Sequence, residues 1–196
     1  MAEKYFSEHT GTEIDLDVNE GLENQPKSNP VWTDLKFPAT QAKVGVTSKP
    51  DFDYTNLGYL MPQNDTTEQL SFIGQMPHEW KLESELRPHI HYIQSAAAQP
   101  TFIMNYRIYK NGDSVPTISG LSTADGSKGV FPYTSGNILQ IASFPAIDTT
   151  GIDAVSAVLD IVIYRDDNDV TGDVLLKEFD IHYQVDQQGS RQEFVK

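Results

Sequence analysis

Val158-Leu159-Asp160-Ile161-Val162-Ile163-Tyr164 and, beyond an acidic loop, Val174-Leu175-Leu176-Lys177-Glu178-Phe179-Asp180-Ile181-His182-Tyr183 place apolar residues mostly on every second position. Successive side chains of a strand point to opposite faces, so this period marks strands with one face in a core. The stretches extend to Ala154–Arg165 and Val174–Val185. They predict a central hairpin near the C-terminal end of an antiparallel β-sandwich.

Working back along the chain, the same signals predict strands at Val31–Phe37, Leu57–Met61, Gln69–Gln75, Arg87–Gln94, Thr101–Tyr109 and Asn137–Phe144. Turn-rich pieces such as Lys110-Asn111-Gly112-Asp113 and Thr123-Ala124-Asp125-Gly126-Ser127-Lys128-Gly129 separate them. Glu79–Leu86 has room for one helical turn, and no segment sustains a helical period. The glycine-rich piece Ser114–Thr134 reads as an exposed tip. Strands at this spacing predict an all-β, jelly-roll-like antiparallel β-sandwich over 31–196. Residues 1–30 differ in composition: Glu3, Glu8, Glu13, Asp15, Asp17, Glu20 and Glu23 stand against Lys4 and Lys27, with few apolar residues. Such a stretch does not offset its own ordering entropy. It is expected to be an extended acidic N-terminal arm that orders against a neighbouring subunit or folds back on its own sandwich.

A length of 196 residues accommodates one sizeable core plus an appendage. The formal net charge of -14 argues against nucleic acid and anionic membranes as direct partners, since both carry the same sign. No apolar run approaches the roughly 20 residues that span a bilayer, and Met1-Ala2-Glu3-Lys4-Tyr5-Phe6 lacks the basic and apolar regions of a secretory signal. The absence of cysteine removes disulfides, thiolate nucleophiles and cysteine metal sites.

Two constellations invite a metal. In Pro88-His89-Ile90-His91-Tyr92, a predicted strand, His89 and His91 share a face, and His182 on the late strand offers a third imidazole. A cupin-type centre uses such a pair with a glutamate a few residues on, where this chain has Ser95-Ala96-Ala97-Ala98. The alternative is that the histidines pack inside the sandwich or at a subunit contact. Protonation near pH 6 would then tune assembly. The second constellation runs from Asp167 through Asp169 and Gly172 to Glu178, the spacing of a calcium loop. Its flanks read as strands, and Leu175 occupies a usual ligand position, so an acidic hairpin loop is expected. His89, His91, His182, Asp167, Asp169 and Glu178 therefore stand as metal candidates only, and no cofactor is expected. Trp32, Trp80, Tyr92, Tyr106, Tyr109, Tyr164 and Tyr183 have the makings of a carbohydrate platform, with a cation near Asp166, Asp167 and Asp169. Strands favour aromatics in any case, so these read first as core and sheet-face residues. No serine elbow, phosphate-cradling glycine loop or basic aromatic patch is present.

Three pieces of the chain form a pattern. The first is Gln75-Met76-Pro77-His78-Glu79-Trp80-Lys81 with Leu86-Arg87-Pro88-His89-Ile90-His91-Tyr92. The second is Phe144-Pro145-Ala146-Ile147-Asp148-Thr149-Thr150-Gly151, leading to Tyr164-Arg165-Asp166. The third is Glu178-Phe179-Asp180-Ile181-His182-Tyr183-Gln184-Val185-Asp186 with Gly189-Ser190-Arg191-Gln192-Glu193-Phe194-Val195-Lys196. Together they resemble a family of small jelly-roll virion structural proteins of tailed bacteriophages, from about Trp32 to the last residue. Tyr92 departs from the family pattern, which has tryptophan there.

The resemblance implies a non-enzymatic jelly roll built into the outer surface of a phage particle as a homotrimer, assembled in the host cytoplasm against the major capsid protein or other virion proteins. A compact sandwich without a fibre shaft, carrying a polar arm, points to a capsid decoration or cement protein. The alternatives are a neck, tail or fibre-base protein with carbohydrate-binding capacity, and a cupin-like metalloprotein using His89, His91 and His182.

Overall fold

The computed structural model describes residues 31–95, 99–125, 137–166 and 172–186. The acidic arm at 1–30, Asp167 and Asp169, and the closing piece from Gly189 lie outside the described residues. Among the described residues, eleven strands run in chain order: β1 (Val31–Pro38), β2 (Lys43–Val44), β3 (Asp51–Asp53), β4 (Gly58–Met61), β5 (Leu70–Gln75), β6 (Arg87–Ile93), β7 (Phe102–Tyr109), β8 (Ser119–Ser122), β9 (Leu139–Ser143), β10 (Val158–Arg165) and β11 (Val174–Val185). A 3-10 turn at Ala39–Gln41 follows β1.

One sheet has the order β3-β4-β11-β6-β9, with β1 also pairing β11; the other has the order β2-β5-β10-β7-β8. The pairs β4 with β11, β5 with β10, β6 with β9 and β7 with β8 are nested, as in a ribbon folded on itself. Further pairing of β11 with β6 and of β10 with β7 closes each sheet. The pairings among β2 to β11 are antiparallel. This is the jelly roll expected from the strand spacing.

The C-terminal pair departs from the expected hairpin. β10 and β11 are central strands of opposite sheets, and the eight-residue connection 166–173 carries the chain between them. Such a connection exceeds the two to five residues of ordinary hairpin loops. Each strand also has an apolar face of its own to bury. Leu159, Ile161 and Ile163 of β10 meet Phe179, Ile181 and Tyr183 of β11 in one core.

Glu79–Leu86 is not helical. Glu83 has φ +60°, outside helical space, and Trp80 and Leu86, both fully buried, form bridges to Val185 and Ile147. The Trp80 indole donates to Ser84 Oγ at 3.0 Å, and Thr149 Oγ1 donates to the Ser84 carbonyl at 2.8 Å. Within the expected tip Ser114–Thr134, Ser119–Ser122 is ordered as β8 against β7. Phe37 of β1 enters the core beside Phe72 and Phe179, with ring centroids 5.8 and 5.4 Å away. Gly74 makes this possible, because a Cβ there would stand 2.5 Å from the Phe37 ring. Arg165 is fully buried where β10 ends. Its Nη1 donates to the carbonyls of Met61 and Gly172 at 3.1 and 3.0 Å.

Candidate functional site

The face of the first sheet turned away from the core carries the site. On β6, Pro88, Ile90 and Tyr92 enter the core, so Arg87, His89 and His91 point the other way. On β11, a register shift between Leu176 and Glu178 resets the alternation. Phe179 and Ile181 then enter the core, leaving Glu178, Asp180 and His182 beside the β6 residues. Asp180 is paired with His89, Glu178 with His91, and His182 with Arg87. Directly opposed side chains in such a ladder are within about 5 Å at Cβ.

Asp180 is the centre of the group. It is 4% exposed, with Oδ1 2.5 Å from His89 Nε2 and Oδ2 3.2 Å from His91 Nε2. Burial pushes its carboxyl up, but the flanking His89 and His91 outweigh that and hold it at about 2. The hydrogen bond to Asp180 raises His91 against the opposing effect of burial, with Glu178 and Asp34 adding to the rise. His182 packs edge-on against His89, with centroids 4.4 Å apart, and its Nε2 lies 3.0 Å from Asp34 Oδ1 on β1. Burial, then the neighbouring His89 charge, lowers His182, while Asp34 and Asp180 oppose the shift. Arg87 lies over the Trp32 ring at 4.4 Å and donates from Nε to Glu85 at 2.7 Å. A hollow of about 400 Å³ opens beside the cluster, lined by Arg87, His89, Ser143, Pro145 and His182 among others.

The structure thus brings together His89, His91 and His182, as their strand positions predicted, and adds Asp180 as the acid between them. Sequence reasoning missed Asp180: alternation puts it on the same strand face as His182, but nothing local places that face beside His89 and His91. Glu178 stands within the β11 ladder opposite His91, at the position a calcium loop would give its twelfth ligand; Asp167 and Asp169 lie outside the described residues. Of the aromatics, Trp80, Tyr92 and Tyr183 are buried core residues, and Tyr109 and Tyr164 bond Asp160 and Asn105 on their own sheet.

Around the cluster, the three motif pieces touch. Tyr183 OH donates to Glu79 Oε1 at 2.7 Å, and Lys81 N donates to the Gln184 carbonyl at 2.7 Å. Leu86 and Ile147 exchange backbone bonds of 3.1 and 2.8 Å, and Phe144 N reaches the Pro88 carbonyl at 3.0 Å. Burial, reinforced by Glu79, pushes the Tyr183 hydroxyl well above its ordinary range, so it remains a donor.

No family model matches this sequence, and no curated protein matches it. Solved structures with some likeness include the isomalto-dextranase of Arthrobacter globiformis T6 complexed with panose, at 17% identity and a TM-score of 0.44 over 76% of this chain and 23% of that one. The Cry4Aa toxin of Bacillus thuringiensis gives 17% and 0.45 over 79% and 24%. The Eiger TNF of S. frugiperda gives 7% and 0.27 over 84% and 99%. The chain spans about a quarter of the length of the first two. Likenesses of this size bear on neither activity nor ligand.

Proposed function

We propose that this chain is a non-enzymatic structural protein of a tailed-phage particle, a jelly roll that assembles as a trimer and decorates the capsid from outside. The supporting observation is the meeting of the three motif pieces around one cluster. Short motifs scattered along a chain are individually unspecific. Pieces that pair with one another through Trp80 and Val185, Leu86 and Ile147, and His89 and Asp180 describe one folded unit, which is what kinship with a family of virion jelly rolls requires.

On this reading the mechanism is mechanical. Surface buried across subunit and capsomer joints stabilises the shell against the pressure of packaged DNA, because a ligand that binds only the assembled shell favours it by mass action. The net charge of -14 keeps the outer surface from binding nucleic acid and disperses particles. The arm at 1–30 serves as a clamp to a neighbouring capsomer. The test is a titration of the purified protein onto matched empty shells that lack it, read by sedimentation and electron microscopy. Saturable binding at regular lattice positions is expected, and deletion of residues 1–30 should abolish it. Failure to bind shells would overturn the decoration role and move the protein to the neck, tail or fibre base.

A further inference from the structure

We propose that His89, His91 and Asp180 form a binding site for one divalent transition-metal ion of the zinc type, clamping β6 to β11 on the outward face of their sheet. Among the described residues, these three side chains form one group whose ligand atoms all lie within 4.8 Å of one another. Metal–nitrogen and metal–oxygen bonds of about 2.0–2.2 Å in a tetrahedral shell set donors about 3.4 Å apart, so the wider gaps close and the 2.5 Å contact of His89 with Asp180 opens when an ion enters. The inference does not depend on a virion role.

Two observations point to a cation at this place. First, Asp180 Oδ1 is buried without a directional hydrogen bond, although His89 Nε2 is only 2.5 Å away. A buried carboxylate is costly unless positive groups meet it, and at this one they are the protonated His89 and His91 or a cation in their place. Second, the other nitrogen of His89 lies 3.5 Å from the Arg87 carbonyl. Both imidazoles thus aim Nε2 at the one carboxylate, and the protons of these contacts are what a metal ion would displace on binding. A backbone carbonyl behind a ligating imidazole is also the usual means of fixing ring orientation at metal sites.

The donor set selects the kind of ion. Two imidazoles and one carboxylate suit zinc, iron, nickel or copper, whereas calcium and magnesium prefer oxygen ligands throughout. Three protein ligands leave a position open. His182 packs against His89 and the adjoining hollow reaches both, so a water or an external donor would complete the shell. The site differs from a cupin centre in place, since it lies on the outward face of the sheet and leaves the interior of the roll apolar.

The test uses the full chain, stripped with chelator, dialysed and titrated calorimetrically with zinc chloride at pH 7.5. Thermal unfolding is followed with and without the ion. One saturable site per chain and a raised Tm are expected. His91→Ala and Asp180→Asn should each weaken binding by at least about 100-fold, the upper end of what loss of a supporting contact alone does. His78→Asn, at a histidine that pairs with Ser156 and is no member of the cluster, should leave it unchanged. Cobalt loading should give visible absorption that His91→Ala removes. Should His91→Ala fail to fold, His91→Gln retains a polar side chain of similar reach at this partly exposed position and serves instead. Absence of saturable binding would overturn the proposal, as would stoichiometric binding that persists in both ligand variants. One ion per three chains would also overturn it, by assigning the metal to a shared axis.

Discussion

At the scale of single residues, Asp180 governs what the outward face does. Its carboxyl is held at about 2, below its ordinary 3.8, so its contribution to stability is present above pH 3.8 and lost as pH falls from there toward 2. His91 is raised above 6.5, so its contribution is fully present below pH 6.5 and lost as pH rises through the folded value. In the presence of chelator, the urea midpoint of the native chain should therefore exceed that of Asp180→Asn most between pH 3.8 and 6.5. A difference that stays constant from pH 3 to 8 would count against the pairing. Zinc should reverse the upper limb, since metal needs the neutral imidazole and binds better as pH climbs. The histidines of this cluster were legible in the sequence through their strand period alone. Asp180 was not, because its partners lie 89 and 91 positions away and only the ladder brings them into register. Arg165 was likewise invisible as a buried group, since its role depends on the carbonyls of Met61 and Gly172 at the end of β4 and beside β11.

At the scale of elements, the contact between β1 and the sandwich turns on one missing side chain. Phe37 fills the space over Gly74 and joins Phe72 and Phe179 of the two sheets. Gly74→Ala should displace the ring and destabilise the fold by about 1–3 kcal/mol, the usual cost of overfilling a packed core. Urea unfolding would measure it. Pairing the change with Phe37→Leu, which removes the ring, should recover part of the loss. If Gly74→Ala alone is neutral, the ring has room that the contact distance denies. The long strands β6, β7, β10 and β11 were readable because burial on one face imposes a period of two. Short elements escaped: β2, β3 and β8 are two to four residues long, too few to show a period, and β8 is held by pairing to β7 rather than by its own composition. The helical turn expected at Glu79–Leu86 failed for a tertiary reason. Trp80 and Leu86 are drawn into bridges with distant strands, and Glu83 takes a positive φ to allow it.

At the scale of the molecule, the nested pairing makes β11 the axis of the fold. It joins β4, β6 and β1 in one sheet and is the last described strand of the chain. A chain ended after Arg165 lacks that axis and should stay unfolded by circular dichroism, whereas the full chain should refold over milliseconds to seconds. Non-local pairing delays the reward for loop closure and slows folding of this kind. A cooperative fold in the truncated chain would show that the second sheet is self-sufficient.

Composition and period by themselves determined an acidic all-β chain, the positions of its main strands and the shared face of His89 and His91, because these follow from local alternation and summed charge. Tertiary structure alone decided that β10 and β11 belong to opposite sheets, that the motif pieces meet, and that Asp180 lies between two imidazoles. Each of those depends on which strand lies beside which, and strand partnership is set by the burial of whole faces against each other rather than by any residue's neighbours in sequence.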